Sequence, residues 1–302
     1  MSNTWVAGSY TQHQSTNDSV PSEHIAQKKL GWAFWLCIGW LVTIVLLAVF
    51  APVLPIKDPR KNFLGSGAAG PSSPPSWPHP FGTDEDALDM FSRTIWGARV
   101  SLTVGFVAVA LSMVIGGSLG MIAGFVRGWF DRIISFIFLA LLSFPALILA
   151  ILLTALLNRS LTVIAVVLGI LGIAPVGRLA RAATMQFAER EFVMASRTIG
   201  ATNFRILTRE LLPNVLIPMS ALALLGMAIA IVAEGGLAFL GLSVEQTITW
   251  GNLIGRGASR RTLEDTPWAA FAPIGVLFLT VLSLNLAGDK LRDYFDVKEL
   301  SL

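Results

Sequence analysis

The chain has 302 residues, 54% hydrophobic and 14% charged, with a net charge of +3 and a mean hydropathy of +0.68. A soluble domain carries about 25% charged residues, and several apolar runs here exceed the ~18–20 residues that cross hydrocarbon. A soluble fold is excluded and a multi-span, all-α integral membrane protein is indicated. The small basic excess suits an anionic bilayer surface and does not point to nucleic acid. The single cysteine, Cys37, excludes a disulfide framework within the chain.

Residues 1–29 are polar and aperiodic, a composition that predicts a disordered tail and not a signal peptide. A first span is predicted over 30–54, after Lys28 and Lys29, with Pro52 and Pro55 at its end and Trp32 and Trp35 placed as interfacial anchors. Residues 55–98 form a long connection, Pro-rich and irregular in its first part. In its second part Thr83 precedes Asp84, Glu85 and Asp86, a helix-start pattern. With Leu88, Phe91 and Ile95 at helical spacing, the sequence predicts an amphipathic helix over Asp84–Trp96, lying on the membrane surface or forming a lid over the span ends.

Residues 99–289 hold five more spans, and 290–302 form a charged tail. The second span, Ser101–Phe125, carries Gly116, Gly120 and Gly124 on one face, which predicts close backbone packing within the chain. The third, Ile133–Leu157, is expected to kink at Pro145. The fourth, Leu161–Leu179, is expected to break at Gly169, Gly172 and Pro175. The fifth and sixth run over Val215–Leu242 and Pro267–Gly288. Six spans place both termini on one side. The basic residues of the short loops, with the six arginines of Arg178–Arg209, place that side in the cytoplasm.

The chemistry of an enzyme is missing. No G-x-x-x-x-G-K-[ST] phosphate loop is present. His13, His24 and His79 lie outside the spans, no Cys/His cluster suggests a metal, and no Asp in any other span could pair with Asp289 in an aspartyl dyad. One acid interrupts an apolar run. Glu234 reads either as a pore or gate residue or as a paired or snorkelling acid near a helix end, with Gly235 and Gly236 suggesting a local break.

The polar segment 187–213, between the fourth and fifth spans, resembles the E-A-A-x3-G-x9-I-x-L-P loop of ABC-importer permeases. Ala195, Gly200, Leu212 and Pro213 match, and Met194, Ser196 and Glu210 depart from it. The wider run Glu191 to Ala201 is similar to the peptide-importer branch. So are His79-Pro-Phe-Gly-Thr-Asp84 and Asp89-x-x-Ser92-Arg93-x-x-x-Gly97-Ala98-Arg99-x-Ser101-Leu102, although Ala87 and Leu88 replace a Gly-Arg pair. Ala233-Glu234 with Leu237 and Phe239 to Leu242, Trp250-Gly-Asn252, and Asn285 to Asp293 complete the likeness, which spans about residues 30–297.

The resemblance implies a type I ABC importer permease of the dipeptide/oligopeptide branch, in the bacterial plasma membrane. Its implied partners are a homologous permease, two ATPase subunits and an extracytoplasmic substrate-binding protein. It implies no cofactor on this chain, with ATP and Mg in the ATPases. Nickel chelates, haem, glutathione or a sugar oligomer are alternative cargoes. A stand-alone channel or secondary carrier would need ionisable residues in several spans, which the chain lacks apart from Glu234. On this likeness Glu191, Phe192, Ala195, Ser196, Arg197, Ile199, Gly200, Ala201, Phe204 and Arg205 are the ATPase-coupling residues. Glu234, Asp84, Asp89, Arg93 and Arg99 are pathway or gate candidates. Phe192, Ala195, Ser196 and Ile199 share one helical face, and Phe204, Leu207 and Leu211 another. Gly200 is placed to end the first helix in a left-handed conformation and Thr202 to cap the next, giving two short helices with a bend.

Overall fold

The computed structural model describes residues 31–62, 70–244 and 247–300, with side chains to 295. The tail expected over 1–29 lies outside the described residues. Among the described residues ten helices carry the fold: α1 (Trp32–Phe50), α2 (Met90–Val126), α3 (Gly128–Leu142), α4 (Ala146–Leu156), α5 (Leu161–Phe187), α6 (Glu191–Thr198), α7 (Asn203–Phe239), α8 (Trp250–Gly257), α9 (Arg260–Asp265) and α10 (Pro267–Leu300). α1, α2, α5, α7 and α10 are long and apolar enough to cross a membrane. α3 and α4 pass that test together but meet at an angle of 83°. Where a single kinked third span was expected, the chain therefore has a pair broken at Ser143–Pro145.

α5 is the central post. It packs along α2, α3, α4 and α7, while α10 packs on α7 and α1. Small residues set the closest approach. A Cβ on Gly116, Gly120 or Gly124 would lie 2.4, 2.1 and 2.6 Å from the carbonyl oxygens of Ile173, Gly177 and Arg181. Both series advance by four residues in the same direction, so α2 and α5 run parallel, and α3–α4 returns the chain between them. In lipid, where apolar side chains gain nothing by leaving their surroundings, such backbone contact is a main source of helix association.

Three expected elements are redrawn. No amphipathic helix starts at Asp84. Residues 84–88 turn, with Ala87 at φ +56°, and Asp89 is the N-cap that accepts from Ser92 N–H. From Met90 the chain runs without interruption into the second span, through a π-helical turn at Met113–Gly117. Thr83 is held in an isolated bridge to Asp89 instead of capping. Pro175, Gly169 and Gly172 do not break α5, which is continuous through all three. Gly169 and Gly172 instead make room for Leu111 and Ser112, and Ser112 Oγ donates to the Gly169 carbonyl at 2.8 Å. α7 also begins far earlier than Val215, so the second half of the segment 187–213 is the first turns of a long helix.

Candidate functional site

At one end of the bundle α6 and the start of α7 form a bent pair. α6 ends in a Schellman turn: Gly200 N–H donates to the Arg197 carbonyl at 2.9 Å and Ala201 N–H to the Ser196 carbonyl at 3.0 Å. Gly200 sits at φ +85°, a region a β-branched residue enters only with strain. Thr202 then caps α7, accepting from Arg205 N–H at 3.3 Å. The bend and both of its turn residues follow the sequence expectation.

The faces do not. Val193, Ile206 and Leu211 are fully buried, joined to Phe187 of α5 and to Val215 and Met219 of α7 in one apolar cluster. Phe192 and Leu207 only pack against its edge. A π-helical turn at Ile206–Leu211 rotates the helix, so Phe204 points outward while Leu211 points in. The five-residue spacing of Ile206 and Leu211 was the signal for this turn, and α-helical periodicity misses it. The protruding apolar surface is Ile199 (87% exposed), Phe204 (76%) and Met194 (54%). Glu191, Ala195, Arg197 and Arg205 are exposed around it, while Ser196 and Ala201 are half-buried. Arg197 places its guanidinium 5.6 Å from the Phe125 ring centroid at the end of α2. Arg181 of α5 forks onto Asp131 of α3, with Nη2 donating to Oδ2 at 2.7 Å, which ties the neighbouring helices at this end.

At the far end of α7, polar side chains knit the loop 70–89, α2, α8 and α10 together. His79 and Asp89 are buried, with Nδ1 and Oδ1 2.7 Å apart, and Asp89 Oδ2 accepts from Ser92 Oγ at 2.6 Å. Arg93 donates to Asp84. Burial pushes the Asp84 carboxyl above its ordinary value, against the opposing Leu88 N–H and Arg93 charge. Trp250, fully buried, donates its indole N–H to the Thr94 carbonyl at 2.9 Å. Trp268 donates likewise to the Thr83 carbonyl at 2.9 Å.

Glu234 belongs to this network. It is 0% exposed, and Ser101 Oγ donates to its Oε2 at 3.3 Å while accepting from Trp250 N–H at 3.2 Å. α7 does not break at Gly235–Gly236. Gly235 is where α8 crosses, a Cβ on Gly251 standing 2.6 Å from its Cα. Of the pathway candidates, Asp84, Asp89, Arg93 and Glu234 therefore sit in ion pairs or hydrogen bonds inside the chain. Arg99 alone of these candidates lines a cavity of about 860 Å³.

A bundle of helices long and apolar enough to cross a membrane, with a short capped pair projecting from one end, is the architecture of an integral membrane protein. The chain belongs to the family of binding-protein-dependent transport system inner membrane components, whose model matches residues 116–298. It is a non-catalytic permease subunit of an ABC transporter, resident in the inner membrane. The dipeptide transport system permease protein DppC of Alkalihalophilus pseudofirmus is 37% identical over 85% of this chain and 83% of its own length. The oligopeptide transport system permease protein OppC of Bacillus subtilis is 34% identical over 85% and 83%. A solved inward-facing form of the MetNI methionine ABC transporter superposes with a TM-score of 0.55 at 20% identity, covering 68% of this chain and 97% of that one, which shows the shared fold.

Proposed function

We propose that this chain is one half of the membrane pathway of an ATP-driven importer of di- and oligopeptides. The observation that carries this reading is its similarity, along 85% of its length, to permeases of dipeptide and oligopeptide systems. A homologous permease completes the pathway, two ATPase subunits hold ATP and Mg, and an extracytoplasmic binding protein delivers the peptide. Six crossings, with α3–α4 as one, put both termini and the α6–α7 bend in the cytoplasm. The parallel course of α2 and α5 supports that count.

The bend is the coupling element. Ile199, Phe204 and Met194 form an apolar knob for a groove on an ATPase subunit, with Arg197 and Arg205 at its rim. Behind the knob, Val193 of α6 packs with Ile206 and Leu211 of α7 against Phe187 of α5. Displacement of the knob by closing ATPases therefore moves two long helices together and does not dissipate in a loop. The test is reconstitution with the partner permease, ATPases and binding protein. Labelled dipeptide should accumulate only with ATP. Uptake of a nickel chelate, haem or glutathione with no peptide uptake would assign another cargo to the same machine.

A further inference from the structure

The 860 Å³ cavity beside Arg99 has an uneven lining. Lys57, Arg60 and Arg99 lie at one end with a single acid, Asp58, while Val100, Val104 and Val107 of α2 make the apolar wall. Lys57 is the first charge after an uncharged run that begins at Leu30, and Arg99 is the last before the uncharged stretch 100–126. Both cations therefore mark one boundary of the hydrocarbon. Val104 and Val107 lie about 7.5 and 12 Å further along the helix axis, inside the apolar zone.

The charged end is open for a ligand. Arg99 and Arg60 are exposed, and neither side chain has an acidic partner among the described residues. Arg99 is steadied by Trp96, whose ring centroid is 5.7 Å from its guanidinium carbon, an arrangement suited to the headgroup level of a membrane. Lys57 is already engaged with the Pro78 carbonyl and His79, but its charge adds to the local field.

We infer that this cavity binds one anionic phospholipid, its phosphate at Arg99 and Arg60 and an acyl chain along Val100, Val104 and Val107. The shape of the charge selects this occupant. A lipid is charged at one end and apolar at the other, as the cavity is. A zwitterionic peptide carries charge at both ends, and the apolar end of the cavity offers no acid for its ammonium group. This inference does not depend on what the transporter carries.

Native mass spectrometry of the assembled transporter, with partner permease and ATPases, tests it after release from bilayers of equal phosphatidylglycerol and phosphatidylcholine. The wild type should retain phosphatidylglycerol in about twenty-fivefold excess. Each cation near a charged lipid surface contributes about fivefold, so Arg99→Gln should lower the excess about fivefold and Arg99→Gln with Arg60→Gln should abolish it. Thr103→Trp places a large ring in the cavity from an exposed position and leaves the charge unchanged. It should expel bound lipid of either kind, and it decides the matter if the arginine variants do not assemble. Equal retention of both lipids by the wild type, or undiminished phosphatidylglycerol in Arg99→Gln and Thr103→Trp, would overturn the inference. So would displacement of the lipid by saturating dipeptide, which would assign the cavity to the transport path.

Discussion

The two ends of α7 are built on opposite principles. At the Gly200 end the contacts that hold α6 are apolar, and the groups left outside are large hydrophobic side chains on a sharp, capped turn. At the Trp250 end, about 55 Å away along the helix, hydrogen bonds and ion pairs of buried polar side chains hold the loops, while Trp77, Phe239 and Leu240 stay exposed. An apolar cluster tolerates small rotations, because dispersion contacts are non-directional. A network of buried hydrogen bonds does not, since each bond has a preferred angle and an orphaned partner costs about 1–3 kcal/mol. One end is suited to receive movement and the other to hold a fixed frame.

Breaking the Gly200 turn tests the contrast most severely. Gly200→Val forces a β-branched residue to φ +85°, where left-handed backbone costs L-residues about 1–2 kcal/mol or more. No neighbour lies within 4 Å of the added Cβ in the free chain, so the strain acts on the turn itself. Peptide uptake should fall about five- to thirtyfold with the complex still assembled, and Gly200→Asn should retain much more activity because Asn tolerates this region. Unchanged uptake in Gly200→Val would remove the turn from the coupling mechanism. Phe204→Ala comes next. Phe204 is 76% exposed in the chain, so its truncation leaves the fold intact and should weaken ATPase docking about tenfold, as loss of an aromatic anchor does. That is measured as the ATPase concentration needed for half-maximal peptide-stimulated hydrolysis.

The same contrast explains what could be read from the sequence. The spans were legible because apolar runs are long and lipid leaves few alternatives for the backbone. Gly200 and Thr202 were legible because a turn needs specific residue types. Faces were not. The π-turn at Ile206–Leu211 shifts the register, so α-helical spacing puts Phe204 and Leu211 on one face although one is exposed and the other buried. The start of α2 is ambiguous in the sequence because Thr83 and Asp89 both fit a cap, and the contacts that hold Asp89, among them His79 ten residues away, are not local. Glu234 looked exceptional in an apolar run. Its partner Ser101 lies 133 positions away, beyond any local pattern.

At the rigid end the effects should appear in stability before transport. Trp250→Phe keeps most of the ring but leaves the Thr94 carbonyl without its indole donor. It should cost about 1–3 kcal/mol, read as a lower thermal midpoint of the assembled complex, with peptide uptake reduced less than in Phe204→Ala. A larger loss of uptake than of stability would show that this end moves during the cycle.

Glu234→Gln should give the smallest change and the sharpest distinction. Glutamine keeps the length and shape of the side chain, and its carbonyl can still accept from Ser101 Oγ as Oε2 does. If the carboxyl only joins α2 to α7 beneath Trp250, uptake should stay within about twofold of wild type, by the same ratio in acidic and neutral medium. Glu234→Leu would then be worse than Glu234→Gln, because it leaves the buried Ser101 hydroxyl without its acceptor. A gate that uses the charge predicts the reverse order in pH dependence: Glu234→Gln would flatten the pH profile of uptake while leaving the thermal midpoint unchanged. Measuring both quantities on the two variants separates a residue that holds the frame from one that works within it.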